Sequence, residues 1–226
     1  IKNKIYIYTV KQNRFNKAVV KTKQLIDSNK IGKIFMISAS CKWRREQAYY
    51  NQDYWRGTRK YDGGVLMNQA IHHIDLLIYL CGDVDSVIGY GATRFVKIES
   101  ENIAVASIKF KNNALGVLEA TTATSPNDYE GSITIMGSKG TLKISGFASN
   151  KISYFENVNN KKIDFSKYED DIKNIYGKGH LKFYEYVYKS ITQNKKNIFS
   201  IDSSIKSVEV VEKIVKSFKT KRIEKI

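Results

Sequence analysis

Apolar residues recur every three or four positions in four segments of the chain, as they do along one face of an amphipathic helix. These segments predict helices over residues 15–30, 65–81, 180–192 and 202–218. The second carries the clearest pattern, with six apolar residues on one face: Leu66, Ala70, Ile74, Leu77, Ile78 and Cys81. Such a face packs against a core. The polar residues of the same helix therefore point away from the core.

The middle of the chain favours strands instead, because β-branched residues alternate there with polar ones. Strands are predicted over residues 2–10, 34–43, 86–93, 103–110, 114–124, 132–136 and 141–145. Turn-forming residues at 111–113 and 137–140 are typical of hairpins, which pair consecutive strands antiparallel. The predicted fold is α+β, a large and mostly antiparallel sheet with helices packed on one face.

Two long segments show no clear period. Residues 44–60 are polar and aromatic and predict a long loop, and such loops are often functional. Residues 149–178 predict a loop or insertion around a weak strand over residues 152–155. No proline-rich linker divides the chain, which contains one proline. We expect a single domain over residues 1–226.

Composition narrows the class of protein. The chain has 226 residues, of which 42% are hydrophobic, enough for a globular core. No apolar run reaches the roughly 18 residues that span a bilayer, and no signal peptide is evident, so we expect a cytoplasmic protein without a membrane partner. Cys41 and Cys81 lack the spacing of a disulfide framework or a metal site. We expect two reduced core thiols and no metal.

The charge balance is strongly basic, with a formal net charge of +16 at pH 7. An excess of this size invites a nucleic-acid partner or an anionic ligand. Most of the basic residues are lysines spread through polar segments, whereas arginine is the side chain best suited to contact bases and phosphates. This distribution favours a solvated basic surface over a nucleic-acid groove. We expect no nucleic acid, and an anionic small substrate remains compatible with the charge.

Three polar residues of the helix over residues 65–81 lie opposite its apolar face. Asn68, His72 and Asp75 are spaced four and three residues apart. An imidazole beside a carboxylate suits a general base that removes a proton from a hydroxyl. The alternative, which the spacing alone favours, is a surface histidine or a buried one satisfied by its neighbours. The sequence contains no Rossmann glycine fingerprint and no P-loop, so the residues indicate an acid/base candidate without a nucleotide site.

Residues 63–75, GGVLMNQAIHHID, resemble the G-G-x-L-x-D-x-G-x-H-x-x-D signature of the Gfo/Idh/MocA oxidoreductases. Residues 131–140, GSITIMGSKG, resemble the recurring G-x-I-x-I-x-G-x-x-G hairpin of that family. Residues 11–14, 55–58 and 67–70 look most like the UDP-N-acetylglucosaminuronate 3-dehydrogenases of bacterial surface-polysaccharide synthesis. The resemblance covers nearly the whole chain.

The resemblance implies oxidation of a sugar-ring hydroxyl by hydride transfer to NAD or NADP. It implies that His72 is the base or proton relay, and that Asn68, where many relatives have Asp, orients the substrate or His72. Trp55 and Arg56 match the family's pair near the nicotinamide. The implied substrate-binding residues are Lys11, Gln12, Asn13, Arg14, Arg44, Asp75, His180 and Tyr184. The implied substrate is an anionic sugar nucleotide, and the sheet is expected to form a homo-oligomer, a dimer or a tetramer.

The family's N-terminal Rossmann domain and its E-K-P motif do not occur in this sequence. We expect the chain to be part of a longer enzyme, because it begins with Ile1 rather than Met and because a substrate domain alone has little evident use. The alternative is a non-catalytic ligand-binding or oligomerisation module. Nucleic-acid binding ranks last.

Overall fold

The computed structural model describes residues 6–159, 163–172, 178–194, 197, 199 and 201–226, except the side chains of residues 202 and 203. The strands are β1 (Ile34–Lys42), β2 (Val84–Ala92), β3 (Ile103–Phe110), β4 (Leu115–Thr121), β5 (Glu130–Gly137), β6 (Gly140–Ser145), β7 (Lys151–Asn157) and β8 (Glu224–Lys225). They form one eight-stranded sheet in the order β7-β6-β5-β1-β4-β3-β2-β8.

The helices are α1 (Lys17–Asp27), α2 (Gln47–Tyr50), α3 (Ile71–Cys81), α4 (Gly179–Thr192) and α5 (Ile201–Thr220). Three of them, α1, α3 and α5, pack on one face of this sheet. Apolar side chains of α1, α3 and α5 meet the inner face of the strands, where Ile37, Leu118 and Ile133 are fully buried. The predicted α+β fold is confirmed.

Strand β1 has a position that the sequence did not predict. It lies between β4 and β5, parallel to β4 and antiparallel to β5. All other pairs in the sheet are antiparallel. A parallel neighbour requires a long crossover, and here the chain passes through α3, β2 and β3 before β4 forms.

Several predicted elements differ at their ends or in kind. Residues 2–5 of the predicted first strand lie outside the described residues, and the prediction is wrong for residues 6–10, which form no strand. Instead the backbone N–H of Thr9 donates to the carbonyl of Phe199, at 2.9 Å. The predicted loop over residues 44–60 contains the one-turn helix α2, and the weak strand predicted over residues 152–155 is the edge strand β7.

The outer face of the sheet exposes apolar side chains. Val105, Leu115 and Val117 are 48%, 59% and 37% exposed on β3 and β4. Charged residues alternate with them, and Lys42 lies 3.0 Å from Glu119 across the strands. This face therefore combines apolar and charged groups that the described residues leave accessible.

The two cysteines lie in the core, as the sequence predicted. Cys41 and Cys81 are free and buried. Among the helices of the described residues, none is both long and apolar enough to cross a bilayer.

His73 is an unusual core residue. It is 1% exposed, its ring meets that of Trp43 edge-on at 5.6 Å, and in the described part of the chain neither ring nitrogen has a hydrogen-bond partner. Burial, with a smaller effect from His72, lowers the pKa of His73 to about 3. A buried polar group without a partner destabilises the folded state.

We predict that His73→Phe makes the protein less sensitive to acid. The folded-state pKa of His73 lies below its unfolded value of 6.5, so between pH 6.5 and about 3 the unfolded chain takes up a proton that the folded chain does not. Stability therefore falls as the pH falls through this window, by up to about 1.4 kcal/mol per pH unit for one histidine. Urea unfolding of both proteins from pH 7 to pH 4 measures the slope, and equal slopes would contradict this account.

Candidate active site

A buried cluster of charged side chains joins three parts of the chain. Asp75 on α3 accepts two hydrogen bonds from Arg14, one from Nε at 2.8 Å and one from Nη2 at 2.7 Å. The Nζ of Lys11 lies 3.3 Å from an oxygen of Asp75 and donates to the hydroxyl of Ser207 on α5, at 2.9 Å. The side chains of Lys11 and Asp75 are only 8% and 3% exposed. Two cations share one carboxylate, so one positive charge is left over in the cluster.

Aromatic packing holds the segment that carries Lys11 and Arg14. A 3-10 turn spans Gln12–Phe15, and the ring of Phe15 stacks on that of Phe199 at 5.4 Å. The start of α4 packs against this turn at Gly179, where a Cβ atom would overlap the carbonyl oxygen of Gln12. Only glycine permits this approach. His180, the next residue, lies near enough to His72 to contribute to the lowering of its pKa.

His72 lies on α3, one turn before Asp75, and is half-buried. Its pKa is lowered to about 4, mainly by burial and then by the positive charge of Lys11, while Asp75 opposes the lowering and His180 adds a smaller contribution to it. His72 is therefore neutral at pH 7. A neutral imidazole has a ring nitrogen that accepts a proton.

The helix that carries His72 begins irregularly. The sequence predicted a continuous α-helix over residues 65–81, whereas residues Leu66–Ala70 form a π-turn that leads into α3. Turns of this kind occur frequently at functional sites. Asn68 lies in this π-turn. Both the nitrogen and the oxygen of its side-chain amide form hydrogen bonds to other side chains.

The partners of Asn68 are Asp62 and Gln69. Its Nδ2 donates to Asp62, and its Oδ1 accepts from Gln69 Nε2 at 2.9 Å. Asp62 is 6% exposed and also accepts the backbone N–H of Gly57, at 2.7 Å. Sequence reasoning did not select Asp62. The available signal was an acidic residue directly before the Gly63-Gly64 pair.

Two further predicted residues are buried in the 3-10 turn. Gln12 and Asn13 are 4% and 7% exposed. Within the described residues, the side-chain oxygen of Gln12 has no hydrogen-bond partner. It is an acceptor that fits a donor group of a ligand, since buried polar atoms are rarely left unpaired.

The remaining predicted residues lie outside the charged cluster. Arg44, at the end of β1, donates to the carbonyl of Thr124 at 2.7 Å and pairs with Glu46 at 2.8 Å. Its guanidinium also lies over the ring of Phe95, 4.2 Å from the ring centre. Tyr184 is 63% exposed on α4. The substrate-binding roles of Arg44 and Tyr184 stay predictions.

Trp55 and Arg56 lie in the loop between α2 and the π-turn. The Arg56 guanidinium is 4.7 Å from the centre of the Trp55 ring and 4.3 Å from that of Tyr49, and its Nε donates to Asp53 at 2.8 Å. Their role in cofactor binding also stays a prediction. As for metals, no group of three or more potential ligands occurs among the described residues.

Comparisons with known proteins show which family has this fold and sequence. A family profile described as "Oxidoreductase family, C-terminal alpha/beta domain" matches residues 23–226. A search of curated proteins found no match.

Solved structures give close likenesses. The WlbA dehydrogenase from Bordetella pertussis, in complex with NADH and UDP-GlcNAcA, is 31% identical with a TM-score of 0.86, and the match covers 98% of this chain and 63% of that one. The WlbA dehydrogenase from Chromobacterium violaceum, with the same two ligands, is 34% identical with a TM-score of 0.88, and the match covers 100% and 64%. This chain thus spans slightly less than two thirds of their length.

A more distant likeness extends the fold comparison. Levoglucosan dehydrogenase, in complex with NADH and levoglucosan, is 20% identical with a TM-score of 0.82, and the match covers 100% of this chain and 68% of that one. At this identity the likeness shows the fold alone. Together with the profile match, the two WlbA likenesses establish that the chain belongs to the Gfo/Idh/MocA oxidoreductase family, in which it matches the C-terminal α/β domain.

Proposed function

We propose that this chain is the substrate-binding and proton-accepting part of an NAD(P)-dependent dehydrogenase. Its reaction is the oxidation of a ring hydroxyl of a UDP-sugar acid, a cytoplasmic step of surface-polysaccharide synthesis. A dinucleotide-binding domain would supply most of the cofactor site. Family membership and the two relatives that were crystallised with NADH and UDP-GlcNAcA support this proposal.

The observation that carries the proposal is the charge of the buried cluster. Lys11 and Arg14 together hold two positive charges against the single carboxylate of Asp75. An uncompensated cation in a buried setting attracts an anion strongly, because little water screens it. The carboxylate or diphosphate of a sugar nucleotide has the charge that this cluster lacks.

His72 would accept the proton of the reacting hydroxyl. Its low pKa makes it a weak base in the free protein. An anion bound beside Lys11 adds a negative charge near the imidazole and raises the pKa of His72. The substrate thereby increases the basicity of the group that deprotonates it. The hydride acceptor would be supplied by NAD or NADP, held mainly by the dinucleotide-binding domain.

The residues present fit a nicotinamide cofactor. Trp55 and Arg56 offer a flat ring and a planar cation in one loop, and both surfaces suit the stacking of a flat heterocycle. The unpaired oxygen of Gln12 fits a hydroxyl or carboxamide donor. We assign the first pair to the cofactor and Gln12 to the substrate.

We predict that His72→Ala lowers turnover by roughly 10²-fold to 10⁴-fold, as the loss of a general base typically does. NADH formation from UDP-GlcNAcA measures it, in a fusion that supplies a dinucleotide-binding domain ahead of residue 1. The matched control is His73→Phe, which changes the neighbouring core histidine and keeps turnover. Turnover of His72→Ala within a few-fold of the parent fusion would show that His72 is not the base.

We also propose that the protein forms a homo-oligomer through the outer face of the sheet. The exposed residues Leu115 and Val117 lie two positions apart on β4, and Val105 on β3 is a diagonal neighbour of Val117, since Val105 pairs with Glu119 and Val117 with Ser107. The cross-strand charges around them suit the polar surroundings of an interface. This surface also serves the alternative function, a non-catalytic assembly module.

We predict that the chain forms dimers or tetramers and that Val105→Lys with Val117→Lys produces monomers, because buried like charges oppose association. Sedimentation equilibrium measures the mass. The matched control is Val158→Lys, which is 70% exposed just after the edge strand β7 and should not change the mass. A monomeric parent chain, or a double variant with unchanged mass, would rule out this face as the interface.

A further inference from the structure

Asp62 connects two segments that carry predicted site residues. Its carboxylate accepts the backbone N–H of Gly57 through Oδ2, at 2.7 Å, and the amide of Asn68 through Oδ1. Asp62 is 6% exposed, so water competes little for these bonds. One buried carboxylate therefore ties the loop of Trp55 and Arg56 to the π-turn of Asn68.

The peptide of Gly57 is fixed on its other side as well. Its carbonyl accepts the backbone N–H groups of Glu99 and Ser100, at 3.1 and 3.0 Å, and the hydroxyl of Ser100 at 2.8 Å. Gly57 has a φ of +73°, and a Cβ there would overlap the side chain of Ile98. The backbone of Gly57 is therefore fixed at both of its polar groups. Asp62 binds its N–H, and residues 99 and 100 bind its carbonyl.

The chemistry of Asp62 also sets the orientation of Asn68. An ionised carboxylate only accepts hydrogen bonds, so the NH₂ group of Asn68 must face Asp62. Its oxygen then faces Gln69, from which it accepts. A carboxylate at position 68 would face Asp62 directly, and two carboxylates at this distance cannot both be ionised without a large cost.

We infer that Asp62 is a positioning residue that holds the Trp55-Arg56 loop against the helix of His72, and that it is the reason position 68 carries an amide. This inference rests on the proposed function for the roles of those two segments. It accounts for a departure from the family signature, which has Asp where this chain has Asn68. The amide and Asp62 form one functional unit.

Other charged and titratable groups face this unit. Glu101 lies at the start of the helix, where it accepts the backbone N–H of Leu66 at 3.3 Å. Burial raises the pKa of Glu101, and Asp62 adds to this rise while Arg59 opposes it. Burial raises the pKa of Tyr50 on α2, and the Asp62 carboxylate adds to this rise. The variants compared below therefore keep Glu101, Arg59 and Tyr50 unchanged.

The test is a double-mutant cycle of four proteins: the parent, Asp62→Asn, Asn68→Asp and the double swap that carries both changes. In the swap, the new amide at 62 accepts from Gly57 and donates to the new carboxylate at 68, so both hydrogen bonds are restored. In either single variant one donor or acceptor loses its match. We expect each single variant to raise the unfolding equilibrium constant about tenfold or more at pH 7, and the swap to return within about threefold of the parent.

The pH dependence separates this unit from general loss of packing. In Asn68→Asp the two facing carboxyls share a proton, so the folded-state pKa of one is raised above its unfolded value. The stability of this variant is then retained below about pH 4 and is lost as the pH rises through the raised pKa. The unfolding equilibrium constant increases about tenfold for each unit by which the folded-state pKa exceeds the unfolded value. The parent and the double swap each have a single carboxylate at positions 62 and 68. Their stability should therefore not show this decrease as the pH rises.

Trp55 reports the position of the loop. The chain has two tryptophans, and Trp43 is 3% exposed, so acrylamide quenches mainly Trp55. We expect increased quenching in the two single variants and parent-like quenching in the swap. The control is Glu99→Gln, which alters an exposed contact of the same region with the backbone N–H of Arg59 and should leave the quenching unchanged.

A swap variant as unstable and as strongly quenched as the sum of the single variants would overturn the inference. The proposed function is tested separately, by calorimetric titration of the parent chain with UDP-GlcNAcA. If the double swap restores stability and quenching but the parent chain does not bind UDP-GlcNAcA, the coupling of Asp62 to Asn68 is retained and the assigned substrate is refuted.

Discussion

The two hydrogen bonds between Arg14 and Asp75 organise the site. They join the N-terminal segment to α3 inside the protein, and Lys11 extends the same cluster to Ser207 on α5. Removing one partner from a buried ion pair typically costs about 3–5 kcal/mol, because the other charge is left without compensation. The position of the 3-10 turn, and with it the start of α4 and His180, therefore depends on this pair. The geometry around His72 follows from it.

The same cluster that builds the site also adjusts its chemistry. Burial and the charge of Lys11 keep His72 neutral and a weak base. Under the proposed function, a bound anion would offset part of this effect, and the charge of the substrate would then favour the proton transfer to His72. A neutral sugar would bind beside the same imidazole without raising its basicity. Under the proposed function, the excess cation would link recognition of an acid to its oxidation. Asp62 would contribute separately by fixing the loop of Trp55 and Arg56.

Local patterns predicted most elements, and long-range contacts account for what they missed. Strand β3 begins and ends where its alternation predicted, and the apolar face of the helix over residues 65–81 is buried as expected. The position of β1 depends on β4, which begins more than seventy residues later, so no local pattern announces it. The π-turn at Leu66–Ala70 has no distinct apolar period. His72 and Asp75 were visible from their spacing, whereas Asp62 became visible only when its contacts were known.

Under the proposed function, the cation left over beside Asp75 selects an anionic sugar. The most direct measurement is calorimetric titration of the chain with UDP-GlcNAcA and with UDP-GlcNAc, which lacks the carboxylate, for the parent and for Lys11→Met. We expect the parent to bind the acid at least about tenfold more tightly, equivalent to about 1.4 kcal/mol, and Lys11→Met to lose most of this preference. Equal affinities of the parent for the two ligands would contradict it.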